Sequence, residues 1–274
     1  IRVAQWMMKK PGQTAYIGGV GSDEFGKQLE ECATADGVLV HYMKDESTPT
    51  GTCACLIKDK ERCLIANLAS AETFKPSHLE TDLAKEIIES AKFYYIAGFF
   101  LTHGLESFVK VAEHAIKNEK TLCLNLSAPF LVDFFSDQLG TAIEYATFVF
   151  GNESEAAAYG KKHELGEDLK EIALKLSAMP SKSSKPRTVI FTQGSQSTIV
   201  ASEGTVTEFA VEKLPDDKLV DTNGAGDAFV GGFLSKLVGG APMKECVEAG
   251  HWSARFIIQT SGTQLPQECS FEEA

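Results

Sequence analysis

One pattern dominates the middle of this chain: a short apolar run, then a longer stretch whose apolar residues fall three and four apart. Apolar runs at 93–97, 122–126, 146–150 and 188–192 alternate with helical periodicity at 106–118, around 130–145, and at 153–161 and 168–179. Short strands separated by helices of ~10–15 residues read as βαβ units, which build a mainly parallel sheet covered on both faces. The flanks are less regular. Residues 14–20 and 38–42 read as strands around a helix at 23–35, whose apolar spacing runs through Phe25, Leu29 and Cys32 with Asp23 as cap. Two β-like runs, 52–57 and 62–68, meet at the charged tip Lys58-Asp59-Lys60-Glu61. This hairpin breaks the alternation and reads as a lid at the sheet edge. A helix is expected at 79–91, two further strands at 197–202 and 205–211, and two long helices at 224–238 and 243–259. The segment 181–186 (SKSSKP) reads as a surface loop.

Size and composition set the outer limits. With 274 residues, 43% apolar and 23% charged, the chain has an ordinary globular profile. It is long enough to bury ~70–75% of its unfolded surface without disulfide or metal staples. The seven cysteines are odd in number and include no CxxC pair, so a disulfide framework or zinc site is not expected. Such usage suits a reducing compartment, hence a cytoplasmic chain with the nucleus as the alternative. A net charge of -12 argues against a nucleic-acid polymer as partner. No apolar run approaches the ~20 residues of a membrane span, so no membrane partner is expected. At the start, Val3, Trp6 and Met7 sit at helical spacing with no cap before them, which leads us to expect further sequence upstream of Ile1. We expect one domain over 1–274, working as a monomer, with lid elements around 38–68.

The most informative segment is 221–234, DTNGAGDAFVGGFL. It leads from a loop into a helix through Gly224-Ala225-Gly226. Small residues there let a ligand approach the free amides of the helix start, where the helix dipole favours an anion. Asp227 follows in the first turn. Beside a bound phosphate a carboxylate is repulsive, so it makes sense as a base that takes a proton from an attacking hydroxyl. The amides of Gly224, Ala225 and Gly226 would then hold charge growing on the transferred group. An acidic residue in a first turn is also ordinary helix chemistry. Two carboxylates flanking the glycine loop, and further small residues at Gly231 and Gly232, favour the chemical reading. The segment is neither a dinucleotide GxGxxG, which would place no acid against the pyrophosphate, nor a Walker loop, which needs Gly-Lys-Ser/Thr.

These residues resemble the C-terminal signature of the ribokinase-like (PfkB) family of sugar and nucleoside kinases. Residues 18–26 (GGVGSDEFG) resemble the family's segment after its first glycine pair, and 151–156 (GNESEA) its Asn-x-x-Glu motif. Further blocks at 49–54, 62–71, 94–102, 124–130, 189–194 and 248–251 resemble, in order, the eukaryotic members that act on adenosine, so the likeness covers nearly the whole chain. It implies a three-layer α/β/α sandwich with a mainly parallel sheet and a small β lid. It implies ATP-dependent phosphorylation of the 5′-hydroxyl of adenosine, giving AMP, with Mg²⁺ accompanying ATP.

The resemblance also distributes roles. Asp227 would be the base, and Arg62 would reach over the phosphates from the lid. Asn152 and Glu155 would act through Mg²⁺ and its waters, Glu155 as a water-mediated metal contact. Cys53, Leu64, Leu68, Phe99 and Phe130 would wall the adenosine base, where flat purines stack well on phenylalanine. Asn223, Thr192, Gly194 and His251 would line the ATP side. By composition alone the five wall residues would be core, Asn152 and Glu155 an ordinary cap, Arg62 a solvated arginine, and His251 a packed histidine. The family's N-terminal portion has no counterpart in these 274 residues. It carries the first core strand, an aspartate that grips the ribose, part of the lid and a Gly-Gly…Asn segment. The chain as written is therefore expected to bind adenosine poorly. Two alternatives stay open: a related kinase for another nucleoside or a sugar, and a non-catalytic nucleotide-binding fragment.

Overall fold

A computed structural model describes residues 1–58 and 61–271, with side chains for all of these except 57, 58 and 61–63. In chain order the elements begin α1 (Arg2–Met8), β1 (Ala15–Gly21), α2 (Glu24–Ala35), β2 (Leu39–Asp45), β3 (Thr52–Lys58), β4 (Glu61–Asn67) and α3 (Asp82–Ser90). The central stretch holds β5 (Phe93–Ala97), α4 (Leu105–Lys117), β6 (Thr121–Asn125), α5 (Pro129–Phe134), α6 (Ser136–Tyr145), β7 (Phe148–Asn152), α7 (Glu153–Lys162), α8 (Leu169–Ser177), β8 (Thr188–Gln193), β9 (Gln196–Ser202) and β10 (Thr205–Phe209). Two helices close the chain, α9 (Ala225–Leu237) and α10 (Met243–Ile257). They divide into two compact units, Ile88–Glu212 and the combination of Ile1–Ile87 with Lys213–Ala274.

The central unit is the part the alternation foretold. Its sheet has the order β10-β9-β8-β7-β6-β5. Strands β5 to β8 are parallel, and β9 and β10 return antiparallel. Three successive residues of β6, Leu122, Cys123 and Leu124, are fully buried. Successive side chains of a strand point to opposite faces, so both faces are covered, as a parallel sheet requires. The core gathers Phe108, Leu124, Leu139, Val149, Ile172, Leu176 and Phe191.

One buried cation organises the edge of this unit. Arg187 is 2% exposed. Its guanidinium donates to five carbonyls: Ile143 (2.8 Å), Ala146 (3.3 Å), Leu176 (3.0 Å), Met179 (2.9 Å) and Pro180 (2.8 Å). Four of these lie at or just past the C-terminal ends of α6 and α8, where orphan carbonyls and the negative end of the helix dipole receive a cation.

The other unit holds the two-stranded parallel sheet β1–β2, the antiparallel ribbon β3–β4, and a cluster of α1, α9 and α10. The helical spacing read from the first residues is real: Val3, Trp6 and Met7 pack with Ala228, Ala249 and Ile257, and Trp6 stacks on Trp252 at 5.6 Å. Buried Gln5 ties α1 to the entry of β1, accepting from the amides of Gln13 and Thr14, both at 3.1 Å.

Several expectations need correction. Helix α2 forms where expected, and Asp23 caps it through Gly26 N–H at 2.9 Å. Its large apolar residues nevertheless face solvent: Phe25, Leu29 and Cys32 are exposed, and Gly26 and Ala33 are buried. A side chain at Gly26 would collide with the Gly21 carbonyl, so the helix docks on its small residues and turns the large ones away. Residues 39–45 form a strand that pairs in parallel with β1, longer than the 38–42 expected, and the antiparallel ribbon spans Thr52–Lys58 and Glu61–Asn67. The helical region around 130–145 breaks at Phe135 into α5 and α6. Among the described residues no helix is long and apolar enough to cross a membrane.

Candidate active site

The start of α9 lacks the cap that its sequence position would normally carry. Gly224 sits at φ 77°, a left-handed conformation that suits glycine, and contributes no side chain. The loop before it is tightened by Asn223 N–H donating to Asp221 Oδ1 at 2.8 Å. Ala225 N–H is directed at the Thr222 carbonyl, 3.3 Å away. That alters the expected amide set: among the described residues no protein acceptor meets the N–H groups of Gly224, Gly226 or Asp227. The opening is also sterically clear, because a Cβ on Gly226 would have nothing within 4 Å.

Asp227 is exposed in the first turn of α9. Water reaches its carboxylate, yet enough protein surrounds it to disfavour the charge. Burial raises its pKa above the ordinary carboxylate value. A carboxylate so placed is a stronger base than one free in water.

Further along α9 the glycines have a different job. A Cβ on Gly231 would lie 2.9 Å from Val3 Cβ, and one on Gly232 would collide with Ser253 Oγ and the Ala249 carbonyl. These two serve helix packing, against the sequence reading that added them to the chemical signal. Gly250 lies against the Phe229 ring in the same way, with 2.7 Å to the nearest ring carbon for an added Cβ. His251 is half-buried, 5.7 Å from that ring, and burial lowers its pKa. Its imidazole is thus disposed to be neutral.

In the central unit the parallel strands end in a row of polar residues: Asn125 on β6, Asn152 on β7 and Thr192 on β8, with Asn152 and Thr192 paired in register. The carboxyl ends of parallel strands are where open α/β sheets bind ligands. Asn152 and Glu155 form a closed capping box. Asn152 Oδ1 accepts from Ser154 N–H and Glu155 N–H, both at 2.9 Å. Glu155 in turn accepts from Asn152 N–H (3.0 Å) and Nδ2–H (2.8 Å), and it is 5% exposed. Gly194 turns the chain from β8 to β9 at φ 54°, with open space where a side chain would stand.

Phe99 and Phe130 form an exposed aromatic pair, ring centroids 6.1 Å apart. Next to Phe99 in sequence, Gly98 N–H donates to Ser127 Oγ at 2.9 Å, and Ser127 N–H donates to Asn125 Oδ1 at 2.9 Å. Ser127 holds φ 67°, unusual for a residue with a side chain and a mark of local strain near functional sites. Sequence reasoning did not single out Asn125 or Ser127. The available signal was two polar residues closing an otherwise apolar strand.

On the ribbon, Cys53 pairs with Ala66 and Cys55 with Leu64, so Cys53 and Leu64 share one face, and both are exposed. Leu68 stands at the ribbon's root, 37% exposed. The wall residues are therefore not core. Arg62 pairs opposite Ile57, and its side chain lies outside the described residues. Asn223 to Asp227, Cys53, Leu64, Leu68 and His251 belong to one unit, and Phe99, Phe130, Asn152, Glu155, Thr192 and Gly194 to the other.

The family model described as pfkB family carbohydrate kinase matches residues 1–269. This chain belongs to that family. It is a kinase with the ribokinase-like α/β fold, a mostly parallel central sheet with helices. The chain is 48% identical to adenosine kinase 1 of Arabidopsis thaliana over 273 residues, covering 99% of this chain and 79% of that protein. It is 43% identical to adenosine kinase of Dictyostelium discoideum over 266 residues, 97% and 78% of the two chains. Among solved structures, Anopheles gambiae adenosine kinase in complex with P1,P4-di(adenosine-5) tetraphosphate matches with TM-score 0.96 and 44% identity over 98% of this chain and 80% of that one. Adenosine kinase from Schistosoma mansoni in complex with 2-fluoroadenosine matches with TM-score 0.93 and 36% identity, over 97% and 79%.

Proposed function

We propose that this chain transfers the γ-phosphoryl group of ATP to the 5′-hydroxyl of adenosine, giving AMP and ADP and returning a purine nucleoside to the nucleotide pool. The observation that carries the reading is the start of α9. A raised-pKa carboxylate stands one residue from unpartnered amides in a chain that belongs to a kinase family. Asp227 takes the hydroxyl proton as the oxygen attacks the γ-phosphorus. The amides of Gly224, Gly226 and Asp227 receive charge on the transferred group, with the positive end of the α9 dipole behind them. The names of the relatives and the exposed Phe99–Phe130 pair favour a nucleoside over a sugar, since an aromatic surface stacks a purine and offers a sugar few hydrogen bonds.

Mg²⁺ would arrive with ATP and neutralise phosphate charge. The residues fit a water-mediated contact. Glu155 already spends one bond from each carboxylate oxygen on Asn152, so direct ligation would have to displace the cap. Among the described residues no group of three or more His, Cys, Asp or Glu is arranged to hold a metal, which suits a cation carried mainly by nucleotide oxygens and water.

A coupled assay of ATP consumption with adenosine, inosine, ribose and fructose tests the proposal. Turnover with adenosine at the lowest KM is expected. A sugar used more efficiently than adenosine would overturn it.

A further inference from the structure

The conspicuous glycine segment after β1 does something other than approach a ligand. Asp23 accepts three hydrogen bonds: Gly26 N–H (2.9 Å) and Thr50 O–H (2.6 Å) at Oδ1, and Thr50 N–H (2.7 Å) at Oδ2. Thr50 Oγ1 in turn accepts from Gly21 N–H at 2.9 Å. Thr50 is 4% exposed and lies two residues before the ribbon. Around this node the backbones touch. A Cβ on Gly21 would meet Thr50 N at 2.5 Å, one on Gly51 the Leu68 carbonyl at 2.6 Å, and one on Gly19 the Ser70 carbonyl at 2.6 Å. Ser70 N–H donates to the Pro49 carbonyl at 3.0 Å, joining the ribbon's entry and exit. Ala69, at that exit, holds φ 44°. Beyond these roots the ribbon changes character: Cys53, Cys55, Leu56, Leu64 and Ile65 are all exposed.

A rigid base with a projecting arm can swing only about its roots. We propose that Asp23 and Thr50 are the hinge clasp of the β3–β4 ribbon, and that Asp23 is a positioning residue for capture of the nucleoside. A plain helix cap does not explain the aspartate. Capping Gly26 takes one acceptor, and asparagine caps equally well. Accepting two N–H groups and one O–H takes a group with acceptors only, which a carboxylate is and an amide is not. The same bonds, Thr50's first, hold the Asp23 carboxyl below its ordinary pKa, so the clasp stays charged through neutral pH.

The consequence for catalysis rests on the adenosine reading, because an arm that closes over substrate contributes to binding before chemistry. Asp23→Asn keeps the α2 cap and turns an amide donor toward Thr50 N–H. We expect it to raise KM for adenosine about tenfold, the size of one lost charge-assisted hydrogen bond, with kcat within about threefold. Thr50→Val should behave alike, and Thr50→Ser, which keeps the hydroxyl, should match the parent. Amide hydrogen exchange in 52–58 and 61–67 should quicken in Asp23→Asn and stay unchanged in 24–35. Exchange judges the clasp even if adenosine is not the substrate, which separates its failure from that of the proposed reaction. Unchanged ribbon exchange in both Asp23→Asn and Thr50→Val would overturn the proposal, as would quickened exchange confined to α2.

Discussion

Helices α7 and α9 both carry an acid in their first turn, α7 directly after β7 and α9 after a loop, yet their starts differ in what they leave open. At α7, Asn152 and Glu155 satisfy each other's backbone and consume the donors there. At α9, Gly224 supplies no side chain, three amides have no protein acceptor among the described residues, and Asp227 stands among them with its charge disfavoured. The first arrangement is complete without a ligand. The second leaves donors that the protein does not meet, so an anion gains there what the protein withholds. The difference teaches that an acidic first turn is not by itself a chemical signal, and that the unsatisfied donors beside it are.

Substitutions can break this comparison. Asp227→Ala should lower kcat by on the order of 10²–10⁴, the worth of a positioned general base. Its melting temperature should hardly fall. A carboxyl with a raised folded pKa adds stability only at low pH and loses it as pH rises, so at neutral pH its removal forfeits little. The parent's kcat/KM should also drop on acidification through a pKa above the ordinary aspartate range, because the protonated carboxyl cannot accept the hydroxyl proton. Full turnover in the alanine variant, or the same acid limb without Asp227, would remove the base from the mechanism.

Gly226→Ala sharpens the contrast. Its methyl meets open space, so stability should hold or rise, whereas kcat should fall on the order of 10²-fold if the methyl keeps phosphate from the amides. Six residues on, Gly232→Ala should do the reverse, destabilising by about 1–3 kcal/mol through overpacking against Ser253 and Ala249 while the α9 start keeps its form. Denaturant titrations beside initial rates distinguish the two. The smallest effect belongs to the closed start: Asn152→Ala should cost about 1 kcal/mol of stability, roughly 2–4 °C in Tm. A loss of activity far exceeding that at saturating ATP and Mg²⁺ would show that the capping box also serves the nucleotide.

Legibility in the sequence followed the length scale of the force involved. The strand at 93–97 could be read to the residue because its five residues form one unbroken apolar run between two helical stretches, although this edge strand is only partly buried. The ribbon was legible from its two β-like runs, its expected tip at Asp59 and Lys60 lying outside the described residues, and the α7 cap from Asn-x-x-Glu, since both are set by neighbours in the chain. Helix α2 was readable as a helix but not in orientation. The usual expectation that large apolar side chains face inward fails where Gly26 must touch the Gly21 carbonyl. Arg187 gave no sign of its role, because its five carbonyl partners are set by where α6 and α8 end in space.

The order of elements, the hairpin between alternating units, and an aspartate one residue past a glycine loop were settled by the sequence itself, through backbone propensity, periodicity and residue chemistry acting over a few positions. What the tertiary structure decided was which glycines admit a ligand and which admit another helix, and which carboxylates are occupied. Gly226 faces open space and Gly232 faces Ser253, although both are glycines on one helix. Asp23 is bound to Thr50, 27 positions away, and Asp227 is left to act. Such outcomes depend on contacts between segments distant in sequence, and a one-dimensional pattern carries no distance between them.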